Sequence, residues 1–122
     1  MPRRKHAENC AVPAWASARL DNREGRFVLI GNSLFFDSTF QSLSPGAKHV
    51  YLAMCLECGG RRSFTFPHLS ARKYGIPARS FDRYTAELLA AGFISKVSGA
   101  ATRTPNEFNF EFAWKKRQLE PP

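Results

Sequence analysis

The sequence contains no run of about 18 uncharged apolar residues, which excludes a membrane-spanning helix. Its basic start, Met1-Pro-Arg-Arg-Lys-His6, has no apolar stretch behind it, so a secretory signal is not expected. Cysteine is scarce. Cys10, Cys55 and Cys58 are an odd set without disulfide-framework spacing, which fits a reducing, cytoplasmic setting. There is no glycine-rich phosphate loop, no HExxH and no nucleophile elbow. Asp82 and Glu87 are single carboxylates among basic residues, without a partner for acid–base work. Neither an enzyme nor a cofactor is therefore expected. Repeats and low-complexity tracts are also missing.

What is present is enough for one compact domain. The chain has 122 residues, 43% hydrophobic and 23% charged, and its eleven Phe, three Tyr and two Trp can fill a core. Eighteen Lys and Arg stand against ten Asp and Glu, a formal net charge of +8. That balance suits a polyanionic partner, nucleic acid or an anionic membrane surface. The excess is uneven. Residues 61–98 carry seven basic and two acidic groups and residues 1–26 six and three, while 27–60 carry one and two. A binding face is expected in the 61–98 segment.

Residues 1–26 lack sustained periodicity and read as a flexible basic arm, with at most one docked turn beginning at Pro13. Phe27-Val-Leu-Ile30 reads as a short strand or extended anchor. Asp37 or Ser38 can cap a one-turn helix. Ser44 is an N-cap and Pro45 a first helical residue, and the helix they open should run to about Cys58, where Gly59-Gly60 stops it. Ala47, Val50, Tyr51, Met54 and Cys58 share one side of it, with Leu52 and Leu56 nearly opposite; a helix apolar on two sides is central or buries its second face in a partner. Phe64-Thr-Phe66 alternates as a strand. A second helix is expected at 67–74, a turn at Gly75-Ile76-Pro77, and a third helix from about Ala78 to Ala91 with Gly92 beyond its end. Phe93–Val97 and Glu107–Phe112 then form a hairpin around a polar loop, with Phe108, Phe110 and Phe112 on one face. Residues 115–122 are a polar tail.

The expected fold class is α+β, mostly helical. A three-helix core plus a C-terminal β-hairpin wing over residues 27–114 is the layout of a winged helix-turn-helix. The residues also carry a family likeness. Leu43-Ser-Pro-Gly-Ala-Lys-His-Val-Tyr-Leu52 resembles the first helix of phage- and plasmid-type bacterial winged-helix proteins. The stretch Phe66–Ile94, with its pattern G-I-P-x-x-[ST]-F-x-R…E-L-x-x-x-G-F-I, resembles the helix-turn-helix of their replication-initiator-like and repressor-like members. The resemblance implies double-stranded DNA binding without a cofactor, as a transcriptional regulator or replication accessory factor in the cytoplasm, associated with the nucleoid. A homodimer or a replication or transcription protein is a further partner to consider.

In that reading the third helix packs through Phe81, Tyr84, Thr85 and Leu88 and presents Arg79, Arg83, Ala86 and Ala90. Arginine can be bidentate to guanine or pair with phosphate. The Ser80 hydroxyl and the positive helix end add a phosphate site. The bland alternative pairs Arg83 with Glu87 at i+4 and leaves Arg79 solvated. Arg72 and Lys73 end the second helix, where they can meet phosphate or simply complement the helix dipole. Arg103 at the wing tip, Arg61 and Arg62 after the first helix, and the arm residues Arg3, Arg4 and Lys5 complete the candidates.

Cys55-Leu-Glu-Cys58, near His49 and His68 in sequence, lacks a second ligand pair for zinc. It also lies at a helix C-terminus, where the dipole does not favour a thiolate. Two rivals stand beside the DNA reading. One is a winged-helix protein-interaction module, such as a replication loader or an inhibitor of a host factor; the other is a thiol- or metal-responsive regulator using these cysteines.

Overall fold

A computed structural model describes residues 10–97 and 106–115. These residues form an α+β structure with five α-helices and two small antiparallel sheets. None of the helices is long and apolar enough to cross a membrane.

The described part of the expected arm is a hairpin rather than one docked turn. Strands β1 (Cys10–Ala11) and β2 (Arg23–Glu24) pair antiparallel, around one 3-10 turn at Ala14–Ala16. Local polar side chains hold the connection, with Ser17 donating to Glu24 and Arg19 paired to Asp21 at 3.2 Å. Arg3, Arg4 and Lys5 lie outside the described residues. Residues 27–30 form no strand. Among the described residues no backbone hydrogen bond ties 25–30 to the rest of the chain, and a strand needs a partner for its N–H and C=O groups. Leu29 is 85% exposed.

Helices α1 (Asn32–Phe36) and α2 (Ser38–Ser42) meet at buried Asp37, whose carboxylate accepts the Phe40 N–H at 2.9 Å. Helix α3 (Pro45–Glu57) begins as its sequence requires: the Ser44 hydroxyl accepts the Ala47 N–H at 3.2 Å, and Pro45 occupies the first turn, where its missing N–H costs nothing. Ala47, Val50, Tyr51, Ala53 and Met54 are buried, whereas Leu52 and Leu56 are half-buried beside a shallow cleft. Strand β3 (Ser63–Thr65) follows, then α4 (His68–Lys73), the Gly75-Ile76-Pro77 turn and α5 (Ala78–Ala91). Pro67 caps α4 instead of opening it. Gly92 ends α5 at φ 86°, a conformation that favours glycine, and lets the Phe93 N–H bond back to the Leu88 carbonyl at 3.1 Å.

Strands β4 (Ile94–Lys96) and β5 (Glu107–Phe110) form the expected hairpin. The sheet order is β3-β5-β4, with Phe64 opposite Phe108 and Ile94 opposite Phe110. The alternation does not extend to Phe112. Strand β5 stops at Phe110, Phe112 is about half exposed, and Trp114 fills the buried place on a final 3-10 turn, with its ring 4.9 Å from that of Phe93.

The core is aromatic. Tyr51 sits at its centre, with ring centroids of Phe93, Phe110 and Phe40 at 5.4, 5.8 and 6.1 Å. Phe66 stacks on Phe81 at 5.7 Å, fastening α5 to the end of β3. Such pairs are worth about 0.5–1.5 kcal/mol each beyond their buried area.

The crossing of α3 and α5 requires Gly46. A Cβ there would lie 2.0 Å from Cζ of the Tyr84 ring. Gly46→Ala should therefore lower unfolding stability by about 1–3 kcal/mol, as overpacking does. Pairing it with Tyr84→Ala should make the two losses clearly less than additive in a denaturant-melt cycle, because the second change opens the space the first one needs.

Candidate nucleic-acid interface

Helix α5 places two kinds of residue on opposite sides. Phe81, Thr85 and Leu88 are buried against the core, while Arg79, Asp82, Arg83, Ala86 and Ala90 are exposed. The division follows the 3.6-residue period. Ala86 and Ala90 keep the exposed face shallow. Ser80 is half-buried at its margin, and no side chain caps the amide end of the helix, whose N-cap is Pro77.

The two arginines differ in their surroundings. Arg79 has no hydrogen bond or ion pair among the described residues, whereas Arg83 lies over the Tyr84 ring, 5.0 Å from its centroid, with Nη2 donating to the Tyr84 hydroxyl at 3.3 Å. The i+4 pairing of Arg83 with Glu87 is replaced by a contact between helices. One Glu87 oxygen accepts the Ser44 N–H at 2.9 Å and the other the Ser44 hydroxyl at 2.7 Å. In a capping box the third helical residue of the same helix supplies that carboxylate. Here α3 has Ala47 at that position, and α5 provides the glutamate. These bonds to Ser44, the backbone one foremost, hold the Glu87 carboxyl below its usual range.

His68 joins three elements. Its Nε2 is 3.1 Å from Oδ1 of Asp82 on α5, and its Nδ1 faces the Asn106 amide at 3.5 Å, directly before β5. The ring also meets Phe81 edge-on at 4.9 Å. The start of α4, the first half of α5 and the hairpin therefore converge on one side. No spacing in the sequence marks His68 or Asn106 for this junction, because their partners lie on distant segments. Lys96 is exposed near the loop end of β4, where the strand alternation turns a basic residue outward.

The other expected contact residues are scattered. Arg72 is exposed with no partner among the described residues, but Lys73 is 3.1 Å from Glu57 and lies over the Tyr74 ring. Tyr74 and Lys73 together draw the Glu57 carboxyl below its usual range. Arg61 is exposed. Arg62 is committed within the fold: its Nε donates to the Phe110 carbonyl at 2.8 Å, its Nη2 to Glu111 at 3.2 Å, and its guanidinium covers Phe112. Both residues precede β3, at the end of that strand remote from α4. Arg103 lies outside the described residues.

Burial pushes the Cys55 thiol up to about 12, with Cys58 adding to the shift, so it stays protonated near neutrality. Cys58 Sγ donates to the Cys55 carbonyl at 3.1 Å. Among the described residues, no group of three or more His, Cys, Asp or Glu side chains is placed to hold a metal ion.

The Glu87–Ser44 link has a testable sign. A carboxyl whose folded-state pKa is lowered stabilises the fold fully above the ordinary glutamate range, and the contribution is lost as pH falls through the lowered value. Melting temperature should thus fall more steeply between roughly pH 5 and pH 3 in wild type than in Glu87→Gln, which should be less stable at pH 7.

Comparison with protein-family models, curated proteins and solved structures finds no match.

Proposed function

We propose that the chain is a winged helix-turn-helix protein that binds double-stranded DNA, acting as a transcriptional regulator or a replication accessory factor. The observation that carries this reading is the exposed face of α5. Arg79 and Arg83 stand one turn apart above Ala86 and Ala90, on a helix whose opposite side is anchored by Phe81, Thr85 and Leu88. Such a helix fits a major groove, with its uncapped amide end toward a phosphate. The element order α3, β3, α4, turn, α5 and hairpin supports the same reading. Arg83 would leave the Tyr84 ring for a base edge or phosphate, while Arg79 needs no partner removed. Arg72 is free to meet the flanking backbone. Arg62 has the weakest claim, since its guanidinium is already engaged.

The second reading, a protein-interaction module, is favoured by the exposed apolar residues Leu29, Phe36 and Leu69, each more than two-thirds exposed. The two separate in one experiment, a titration of the purified chain against random and genomic-library duplexes across salt. For roughly five to seven neutralised phosphates, log K should fall against log salt with a slope of about −4.5 to −6. Wild type should select a defined site, and Arg79→Ala/Arg83→Ala should lose that selection. Weak binding to all sequences, indifferent to the two arginines, would overturn the DNA reading in favour of a protein partner.

A further inference from the structure

Asp82 is a carboxylate on the face of α5 where the arginines stand. It follows Arg79 by three residues and directly precedes Arg83, and 78% of its side chain is exposed. At 3.6 residues per turn it lies about 60° around the helix from Arg79 and about 40° from Ala86. Among the described residues it pairs with neither arginine. Its partner is His68, whose Nε2 is 3.1 Å from Oδ1, and Oδ2 has none. Asn106 Nδ2, 3.5 Å from Nδ1 of the imidazole, can only donate, so the ring proton sits on Nε2 and points at Asp82. The Phe81 ring, edge-on at 4.9 Å, backs the imidazole from the core side. His68 thus holds one carboxylate oxygen and leaves the other free.

Against a polyanion such a carboxylate is selective. Phosphate oxygens are acceptors and carry its own sign of charge, so it gains nothing from the DNA backbone. In the major groove the donors are the N4 amino group of cytosine and the N6 amino group of adenine. Adenine carries the N7 acceptor beside its amino group, which repels a carboxylate, whereas cytosine presents N4 with no acceptor of its own there. An aspartate on this face therefore gains against one base and loses against the others. Ala86, one turn further on, has no side chain beyond Cβ to hold the helix away from a base edge.

We infer that Asp82, positioned by His68, selects a cytosine in the major groove by accepting a hydrogen bond from its N4 amino group, beside the groups that Arg79 and Arg83 contact. The inference rests on the DNA-binding reading of α5 and adds to it the base that one position of the site must hold.

Selection of the full chain from a randomised duplex pool, followed by titration of every single-base-pair variant of the selected site, tests it. Wild type should prefer C·G over each other pair at one position by roughly fivefold to tenfold. Asp82→Asn removes the charge and presents an amide that suits adenine. The cytosine preference at that position should disappear and adenine should rise, while preferences at all other positions stay. Affinity for non-specific duplex should not fall, because a negative charge has been removed. His68→Phe should lower the same cytosine preference about twofold to threefold and change no other position. Melting temperatures show which variants are folded; if Asp82→Asn is not, Asp82→Ala replaces it, with the cytosine preference again expected to disappear. If Asp82 only fastens α5 to α4, its replacement weakens binding to all sequences alike and leaves every base preference intact. That result, a wild-type site without a cytosine position that responds to Asp82, or a His68→Phe that shifts all positions equally, overturns the inference and leaves the DNA reading standing. A wild type that binds all sequences weakly, indifferent to Arg79→Ala/Arg83→Ala, overturns both.

Discussion

The crossing of α3 and α5 fixes where everything else can go. At one point a glycine admits the Tyr84 ring against the backbone of α3. Beside it, a glutamate from α5 completes the N-cap of α3. Steric fit sets the distance between the helices, and a charge-assisted pair of hydrogen bonds sets their register. The two constraints act together on a few neighbouring residues. Because Glu87 is occupied there, Arg83 one turn earlier is left to lie over Tyr84. The helix that positions the arginines is thus itself positioned by its own acidic residue.

The aromatic core extends this order to the sheet. Tyr51 joins α3 to Phe93 and Phe110 on the hairpin side and to Phe40 on α2, and Phe66 and Phe81 fasten α5 to β3. Rings locked edge-to-face carry little rotational freedom, so helix and hairpin keep a fixed relation. His68 adds a polar fastening at the exposed margin, between Asp82 and Asn106.

Much of this was legible locally. Ser44-Pro45 and Gly92 mark helix ends because their chemistry acts within one turn, and the period of Phe81, Thr85 and Leu88 separated the buried side of α5 from the arginine side. The parts that were not legible depend on distant partners. Ser63–Thr65 pair with residues 107–109 across more than forty positions, and nothing in either segment names the other. Residues 27–30 have strand-like composition but no strand to join. Arg62 reads in the sequence as a DNA-contact candidate, yet Phe110 and Glu111, nearly fifty positions away, engage its guanidinium, and the alternative pairing of Arg83 with Glu87 gives way to Ser44, which is equally distant in sequence. Phe112 continued a pattern whose strand ends two residues earlier. The hairpin at 10–24 rests on turn bonds of Ser17, Asp21 and Asn22, which leave no periodic trace.

Amide chemical-shift mapping of the isotope-labelled chain with a selected DNA duplex decides whether the first half of α5 meets DNA, as proposed. The largest shifts are expected at Ala78–Arg83, with smaller ones at Arg72, Lys96 and Asn106, and little change around Phe27–Ile30 and Phe112. Shifts concentrated instead on residues 27–36 and the far face of α3, with α5 unchanged, would contradict it.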